Sequence, residues 1–376
     1  MNKKKLYILT TIPNSLNFFS GQIYKLGKIY DVTLISSFAD KLEDIANKEK
    51  VKYKKISMQR EISFFKDIIS FIKFLLFFIF NRPYAIHCNT PKASLLGLVA
   101  GFILRIPIRI YYIHGLRYEG AYGRKRQLLK FIEFISCWCA TDIIAVSHGV
   151  KKTVQFDIIE RDIKVIHNGS PNGLDVEKFI NFTSDEDSTR AELNIDKKDF
   201  IFGFIGRIVS DKGINELVSA FNKLPQKNIK LVLVGRYEEL LDPLKTETLN
   251  IIKNNSNIIE CGYQNDIRKF LSIMDIFVSP SYREGFGLSV IEANAMGKAA
   301  IVTSITGYEE IIKDGYNGFY IIPKDEQNLY NQMLNCMQMK LQLKEMSHNC
   351  RLAAVDRFLR ADVQNIAINY YRNLIG

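Results

Sequence analysis

Two glutamates at E-x7-E spacing, Glu284 and Glu292, stand in Arg283–Glu292, REGFGLSVIE. Gly285 and Gly287, with Phe286 between them, let backbone N–H groups approach a ligand closely. A helix then starts at Leu288, so the loop and the helix N-terminus together form an anion site. Glu284 falls on the loop and Glu292 about two turns into the helix. Both carboxylates suit adjacent sugar hydroxyls, which they can accept from in pairs. Taken alone, the segment reads equally well as a glycine turn beside a surface glutamate. A second motif, GRIVSDKG, begins at Gly206 and puts Arg207 and Lys212 on either side of a turn. A guanidinium fork and an ammonium point charge can clamp a diphosphate, although either cation alone reads as a solvated side chain. Together the two motifs define a phosphate end and a polyol end, which is the chemistry of a nucleotide-sugar.

Both motifs follow apolar runs. In the first half these are residues 6–12, 32–37, 84–90, 109–115, 142–147 and 164–169; in the second half they are 200–206, 229–235, 257–261, 275–281 and 298–304. The runs are continuously apolar, as in parallel strands covered on both faces, and helical patterns such as 92–104 and 125–140 separate them. Alternation in two blocks predicts an α/β protein of two doubly wound, Rossmann-like domains. The 376 residues, 47% hydrophobic and 24% charged, suit two cores. The polar, acidic stretch 181–199 marks the boundary. The expected domains are 1–184 and 197–355, followed by a terminal helix over 356–376.

Net charge is +11, but residues 1–180 carry +13 and the remainder −2. An anionic partner for the first half follows: nucleic acid, an acidic membrane face or a phosphorylated substrate. A solvated basic surface is the plain alternative. The six cysteines are scattered, and Cys137–Cys139 lacks the further ligands of a zinc site, so reduced, mostly buried thiols are expected. The apolar run Leu6–Thr11 is too short for a signal-peptide core and reads as a first strand. Ile62–Phe80 is the most hydrophobic stretch, but Lys66, Asp67 and Lys73 interrupt it. It is expected as a buried or membrane-surface helix rather than a span.

GRIVSDKG, LVLVG, SPSYREGFGLSVIEANAMGKAAIVT and GYEEIIKDGYNGFYI occur in that order. In this the chain resembles the retaining family-4 glycosyltransferases of GT-B fold, the type that builds bacterial capsule and O-antigen polysaccharides. IHNGSPNGLD, residues 166–175, resembles the segment that joins the domains of that family. The resemblance implies a donor site between two facing domains. Arg207 and Lys212 would hold the diphosphate and Glu292 the ribose. Glu284 and the Gly285–Leu288 backbone would meet the donor sugar and distal phosphate. Gly206, Gly235 and Tyr263 join the donor-binding set, and His114, in YYIHG, matches the position facing the donor sugar. The family's Gly-Gly pair after the first strand is missing; TTIPNSLNFFSGQI leaves only Gly21 for that phosphate-facing role. The terminal helix would pack back on the first domain.

Transfer with retention, no metal and no cofactor is implied, with a UDP-sugar as donor. Asp185–Asp187, the one D-x-D, lies in the acidic stretch and reads as a solvated charge run. The acceptor, a growing glycan or a polyprenyl-diphosphate-linked sugar, is expected on the basic first domain. Lys52–Arg60, Arg117–Lys130 and Ile62–Phe80 offer themselves to an anionic membrane. The protein is expected in the cytoplasm, peripheral on the inner face of the plasma membrane. A non-hydrolysing nucleotide-sugar epimerase shares the fold but needs further acid–base residues. A nucleic-acid-binding protein would explain the charge but not Glu284 and Glu292 beside two cations.

Overall fold

The computed structural model describes residues 3–59, 63–180, 182–183, 185–238 and 242–376. It contains two compact units, Met1–Gly173 with Arg360–Gly376, and Leu174–Leu359. Arg60, Ile62 and residue 184 of the expected boundaries lie outside the described residues.

Unit 1 is built on seven strands: β1 (Lys5–Leu9), β2 (Asp31–Ser36), β3 (Lys52–Lys55), β4 (Ala85–Cys88), β5 (Ile108–Ile113), β6 (Asp142–Ala145) and β7 (Lys164–Val165). Their order is β3-β2-β1-β4-β5-β6-β7, and all are parallel, with Leu6 of β1 opposite Val32 on one side and Ala85 on the other. The helices between them are α1 (Gln22–Ile29), α2 (Ala39–Glu49), α3 (Phe64–Phe80), α4 (Pro91–Ile103), α5 (Gly123–Cys139) and α6 (His148–Asp157). Pro91 sits at the first turn of α4, where its missing N–H costs nothing. That helix is apolar nearly all round because it packs on β4 and β5 and between α3 and α5. β3, with the sequence KYKK, was not legible as a strand. Every one of its residues is exposed, so no apolar run marks it, and its lysines suit a sheet edge.

Unit 2 carries six parallel strands: β8 (Phe200–Ile205), β9 (Ile229–Val234), β10 (Ile258–Glu260), β11 (Ile276–Ser279), β12 (Ala300–Thr303) and β13 (Gly318–Ile321), in the order β10-β9-β8-β11-β12-β13. Its helices are α7 (Val176–Ile180), α8 (Glu186–Glu192), α9 (Ile214–Lys223), α10 (Thr246–Asn254), α11 (Arg268–Ile273), α12 (Leu288–Ala295), α13 (Glu326–Gln338) and α14 (Lys340–Phe358). Along β8, Phe200, Phe202 and Phe204 enter one core while Ile201 enters the other. This is why the strand reads as an unbroken apolar run.

The chain passes from unit 1 to unit 2 at Gly173–Leu174, within residues 166–175 and ahead of the polar stretch 181–199. That stretch belongs to unit 2 because Leu174, Val176 and Ile195 are buried in its core. Asp185 caps α8 by accepting from the Ser188 N–H at 3.0 Å, and Asp187 pairs with Lys197. Residues 356–359 also stay in unit 2, held by the buried Phe358. The last helix, α15 (Arg360–Ile375), returns to unit 1. There Lys4 donates to the Ile375 carbonyl at 2.7 Å, Gln364 donates to the Ser20 carbonyl at 3.2 Å, and Tyr371 is fully buried. All six cysteines are free and five are buried.

Candidate functional site

In unit 2 the strand order reverses between β8 and β11, and such a switch point leaves a crevice at the carboxyl ends of the strands. Both motifs emerge there, GRIVSDKG from β8 and the REGFG loop from β11. Ser210–Lys212 forms one 3-10 turn, and Gly213 then starts α9 at φ +70°. A side chain at Gly213 would lie 2.1 Å from the Pro280 carbonyl oxygen, so only glycine lets the two loops meet. The Tyr282 N–H donates to the Asp211 carbonyl at 2.9 Å, and three side-chain contacts add to this bond. Asp211 pairs with Arg283 at 2.6 Å, Tyr282 donates to both carboxylate oxygens of Glu216 at 2.7 Å, and Lys212 pairs with Glu284.

The Lys212 and Glu284 side chains are only 17% and 19% exposed. Glu284 also accepts from the Ser281 hydroxyl at 3.2 Å and the Tyr308 hydroxyl at 3.4 Å. Burial, and next the Glu284 charge, push the Tyr308 phenol well above its ordinary pKa, so it remains a hydrogen-bonding hydroxyl. Glu284 therefore has an ammonium and two hydroxyls around it. Just beyond, α12 opens at Leu288 with no side-chain cap and no acid in its first turn. Its positive pole is thus complementary to an anion. Glu292 lies one turn into α12 rather than two, and is partly buried.

Arg207 is more exposed, at 43%, and pairs with Glu238 at 2.8 Å. Gly206 and Gly235 leave adjacent strands in near contact; a Cβ on Gly235 would sit 1.7 Å from the Gly206 carbonyl oxygen. Tyr263 is exposed, and the Arg236 guanidinium lies 5.5 Å from its ring centre. Unit 2 thus gathers Lys212, Glu284, Gly285, Phe286, Gly287 and Leu288, joins Gly206 to Gly235, and sets Tyr263 beside Arg236.

His114 and Gly21 belong to unit 1. His114 follows β5, its ring stacked on Tyr112 at 4.6 Å and on Phe18 at 5.4 Å. Enclosure among these rings lowers its pKa to about 3, which keeps the imidazole neutral. Asn89, at the end of β4, orients it. The Asn89 amide nitrogen donates to the Leu9 and His87 carbonyls at 3.2 and 3.3 Å, so its oxygen turns to His114 Nε2, 3.2 Å away. Nε2 is then the protonated nitrogen, and Nδ1 carries the lone pair.

Gly21 corrects the sequence reading. It has φ +77° at the start of α1, but the Glu49 carboxylate occupies that helix terminus. Glu49 accepts from the Gly21 N–H at 2.8 and 3.1 Å and from the Tyr24 N–H at 2.8 Å. An internal anion thus sits where a donor phosphate was expected, because α2 ends with Glu49 buried against α1. Sequence reasoning also missed Asn89, Glu238, Ser281 and Tyr308. Asn89 carried a usable signal, being a polar residue at the carboxyl end of a buried strand. Tyr308 stands in the motif GYEEIIKDGYNGFYI, but only the fold brings it to Glu284. Among the described residues no group of three or more metal-ligating side chains is assembled.

A family model for Glycosyl transferases group 1 matches residues 185–354, and one for Glycosyltransferase Family 4 matches residues 26–171. The chain is 34% identical over 364 residues to the capsular polysaccharide biosynthesis glycosyltransferase CapM of Staphylococcus aureus, covering 95% of this chain and 94% of that one. It is 26% identical to the UDP-Gal:alpha-D-GlcNAc-diphosphoundecaprenol alpha-1,3-galactosyltransferase of Escherichia coli, covering 88% and 85%. Among solved structures, Anabaena HepE in complex with UDP and glucose superimposes with a TM-score of 0.83 at 19% identity, covering 98% of this chain and all of that one. With two parallel α/β units, the loops of β8 and β11 tied together at a switch point, and a relative matched along almost its whole length, the chain belongs to the family-4 glycosyltransferases of GT-B fold.

Proposed function

We propose that the protein transfers a hexosyl or N-acetylhexosaminyl group from a UDP-sugar to a polyprenyl-diphosphate-linked or growing glycan acceptor, with retention at the anomeric carbon and without a metal. The observation that carries this is the Lys212–Glu284 pair beside the uncapped N-terminus of α12. One cation and a set of backbone donors lie next to a carboxylate held by hydroxyls. When the bond from the anomeric carbon to the diphosphate oxygen breaks, charge develops on the departing UDP. Lys212, Arg207 and the α12 terminus stabilise it electrostatically. The acceptor hydroxyl attacks the same face, and its proton passes to a leaving-phosphate oxygen. Glu292 accepts from the ribose hydroxyls, Glu284 positions the sugar, and neutral His114 bonds a sugar hydroxyl. The names of the relatives support a lipid-linked acceptor and a place in capsular polysaccharide assembly.

The test incubates the protein with a panel of UDP-sugars and an undecaprenyl-diphosphate-linked monosaccharide in excess EDTA. A disaccharide of the donor's anomeric configuration is expected. Activity that disappears with EDTA and returns with magnesium or manganese would sink the metal-free mechanism. A new epimer formed without acceptor would favour the epimerase reading.

A further inference from the structure

Glu284 meets its surroundings through one oxygen. Lys212, the Ser281 hydroxyl at 3.2 Å and the Tyr308 hydroxyl at 3.4 Å all reach Oε1, and among the described residues no hydrogen bond reaches Oε2. The carboxylate is thus anchored on one side and open on the other. Tyr308 is fully buried, in the turn that follows β12. Its N–H donates to the Ile305 carbonyl, and its carbonyl accepts from the Ile311 and Ile312 N–H groups, each at 2.9 Å. Two glycines let this turn approach the REGFG loop. A Cβ on Gly287 would lie 2.4 Å from the Tyr308 ring, and one on Gly307 would lie 2.5 Å from the Glu284 carbonyl oxygen. The ring and the residue before it therefore press directly against the loop that carries Glu284.

The hydroxyls around the phenol run in one sense. A carboxylate only accepts, so Ser281 donates its proton to Glu284. With that proton committed, the Ser281 hydroxyl accepts from Tyr308 at 3.2 Å, and the phenol proton is shared between Ser281 Oγ and Glu284 Oε1. Ser279, 2.5 Å from the phenol oxygen, then donates to it. Each bond polarises the next towards the carboxylate. The Thr303 hydroxyl fixes Ser281 as well, donating to its carbonyl at 2.6 Å. Lys212 is the one charged anchor of Glu284, and a bound diphosphate competes for it. When Lys212 turns to the diphosphate, the hydroxyls are what remain to hold the carboxylate. We propose that Tyr308 is a positioning residue: its phenol keeps Glu284 Oε1 in place while Lys212 serves the diphosphate, so that Oε2 stays available to the donor sugar. This rests on the donor-site reading given above.

Tyr308→Phe keeps the ring against Gly287 and removes only the hydroxyl. Calorimetry compares the full-length wild type and the variant with UDP, UDP-glucose, UDP-galactose, UDP-N-acetylglucosamine and UDP-N-acetylgalactosamine. UDP has no sugar for Glu284 to meet, so its affinity should not change. The affinity of the best-bound UDP-sugar should fall about tenfold relative to UDP, as for one lost hydrogen bond to a charged group. Adding Ser279→Ala removes the other end of the Ser279–Tyr308 bond. Any thermal stability lost to an unpaired serine should then return, while the loss of sugar affinity should persist. An unchanged ratio of UDP-sugar to UDP affinity in Tyr308→Phe, or a ratio restored in the double variant, would overturn the proposal. Equal losses for UDP and UDP-sugar would overturn it too, because they mark a role in folding alone. A wild type that binds neither UDP nor any of the four UDP-sugars overturns the donor-site reading itself, and this proposal with it.

Discussion

Replacing Lys212 with methionine keeps the reach of the side chain and removes its charge. Two effects follow, and they can be separated. Glu284, less than one-fifth exposed, loses its counter-ion but keeps the Ser281 and Tyr308 hydroxyls. Stranding a polar group at such a site costs about 1–3 kcal/mol. In a domain of this size that lowers Tm by about 2–12 °C. Adding Glu284→Gln removes the stranded charge, so the double variant should recover most of that loss. Donor binding should not recover. The diphosphate still lacks a charge-assisted hydrogen bond of about 1.5–3 kcal/mol, which weakens UDP affinity about 10- to 150-fold in both variants. Thermal unfolding and calorimetry with UDP give the two readouts for the wild type, both single variants and the double variant, which completes the cycle. Unchanged UDP affinity in Lys212→Met, or recovery of both quantities in the double variant, would mean that Lys212 serves only as a structural counter-ion.

Glu292→Ala should weaken UDP binding by about one to two decades without changing the fold; calorimetry that finds no change removes the ribose assignment. Glu133 is buried, and desolvation raises its pKa from 4.5 to about 7, opposed by the Tyr111 hydrogen bond. The folded protein therefore holds a proton that the unfolded chain releases between those values, and about 3 kcal/mol of stability is lost as pH rises from 4.5 to 7. Glu133→Gln should flatten that dependence, and unfolding at pH 5 and pH 8 checks it. Asn89→Asp sets a carboxylate beside His114 Nε2 and should move the His114 titration up towards neutrality; an NMR titration that leaves it near 3 contradicts the orienting role of Asn89.

Local information was enough for much of this molecule. The apolar runs of 200–206 and 275–281 marked buried parallel strands, because a strand covered on both faces has no polar side to show. The glycines and charges after them marked ligand loops, because close backbone approach and diphosphate clamping need those residue types at those places. Even the change of unit fell inside a segment recognisable by motif, residues 166–175, whereas composition favoured the acidic stretch behind it. The edge strand KYKK escaped because edge pairing buries no side chain. What tertiary structure alone decided was the partner of each charge. Lys212 meets Glu284, and Arg207 meets Glu238, across loops that the chain brings together only through the order of its sheet. Glu49 reaches Gly21 from the end of the next helix and fills a terminus that looked open. Likewise, no pattern within α5 shows that Glu133 turns inward while Trp138 faces out; the packing of α5 on α4 sets that rotation. Residue type and spacing specify which interactions are possible, and distance in the folded chain selects among them.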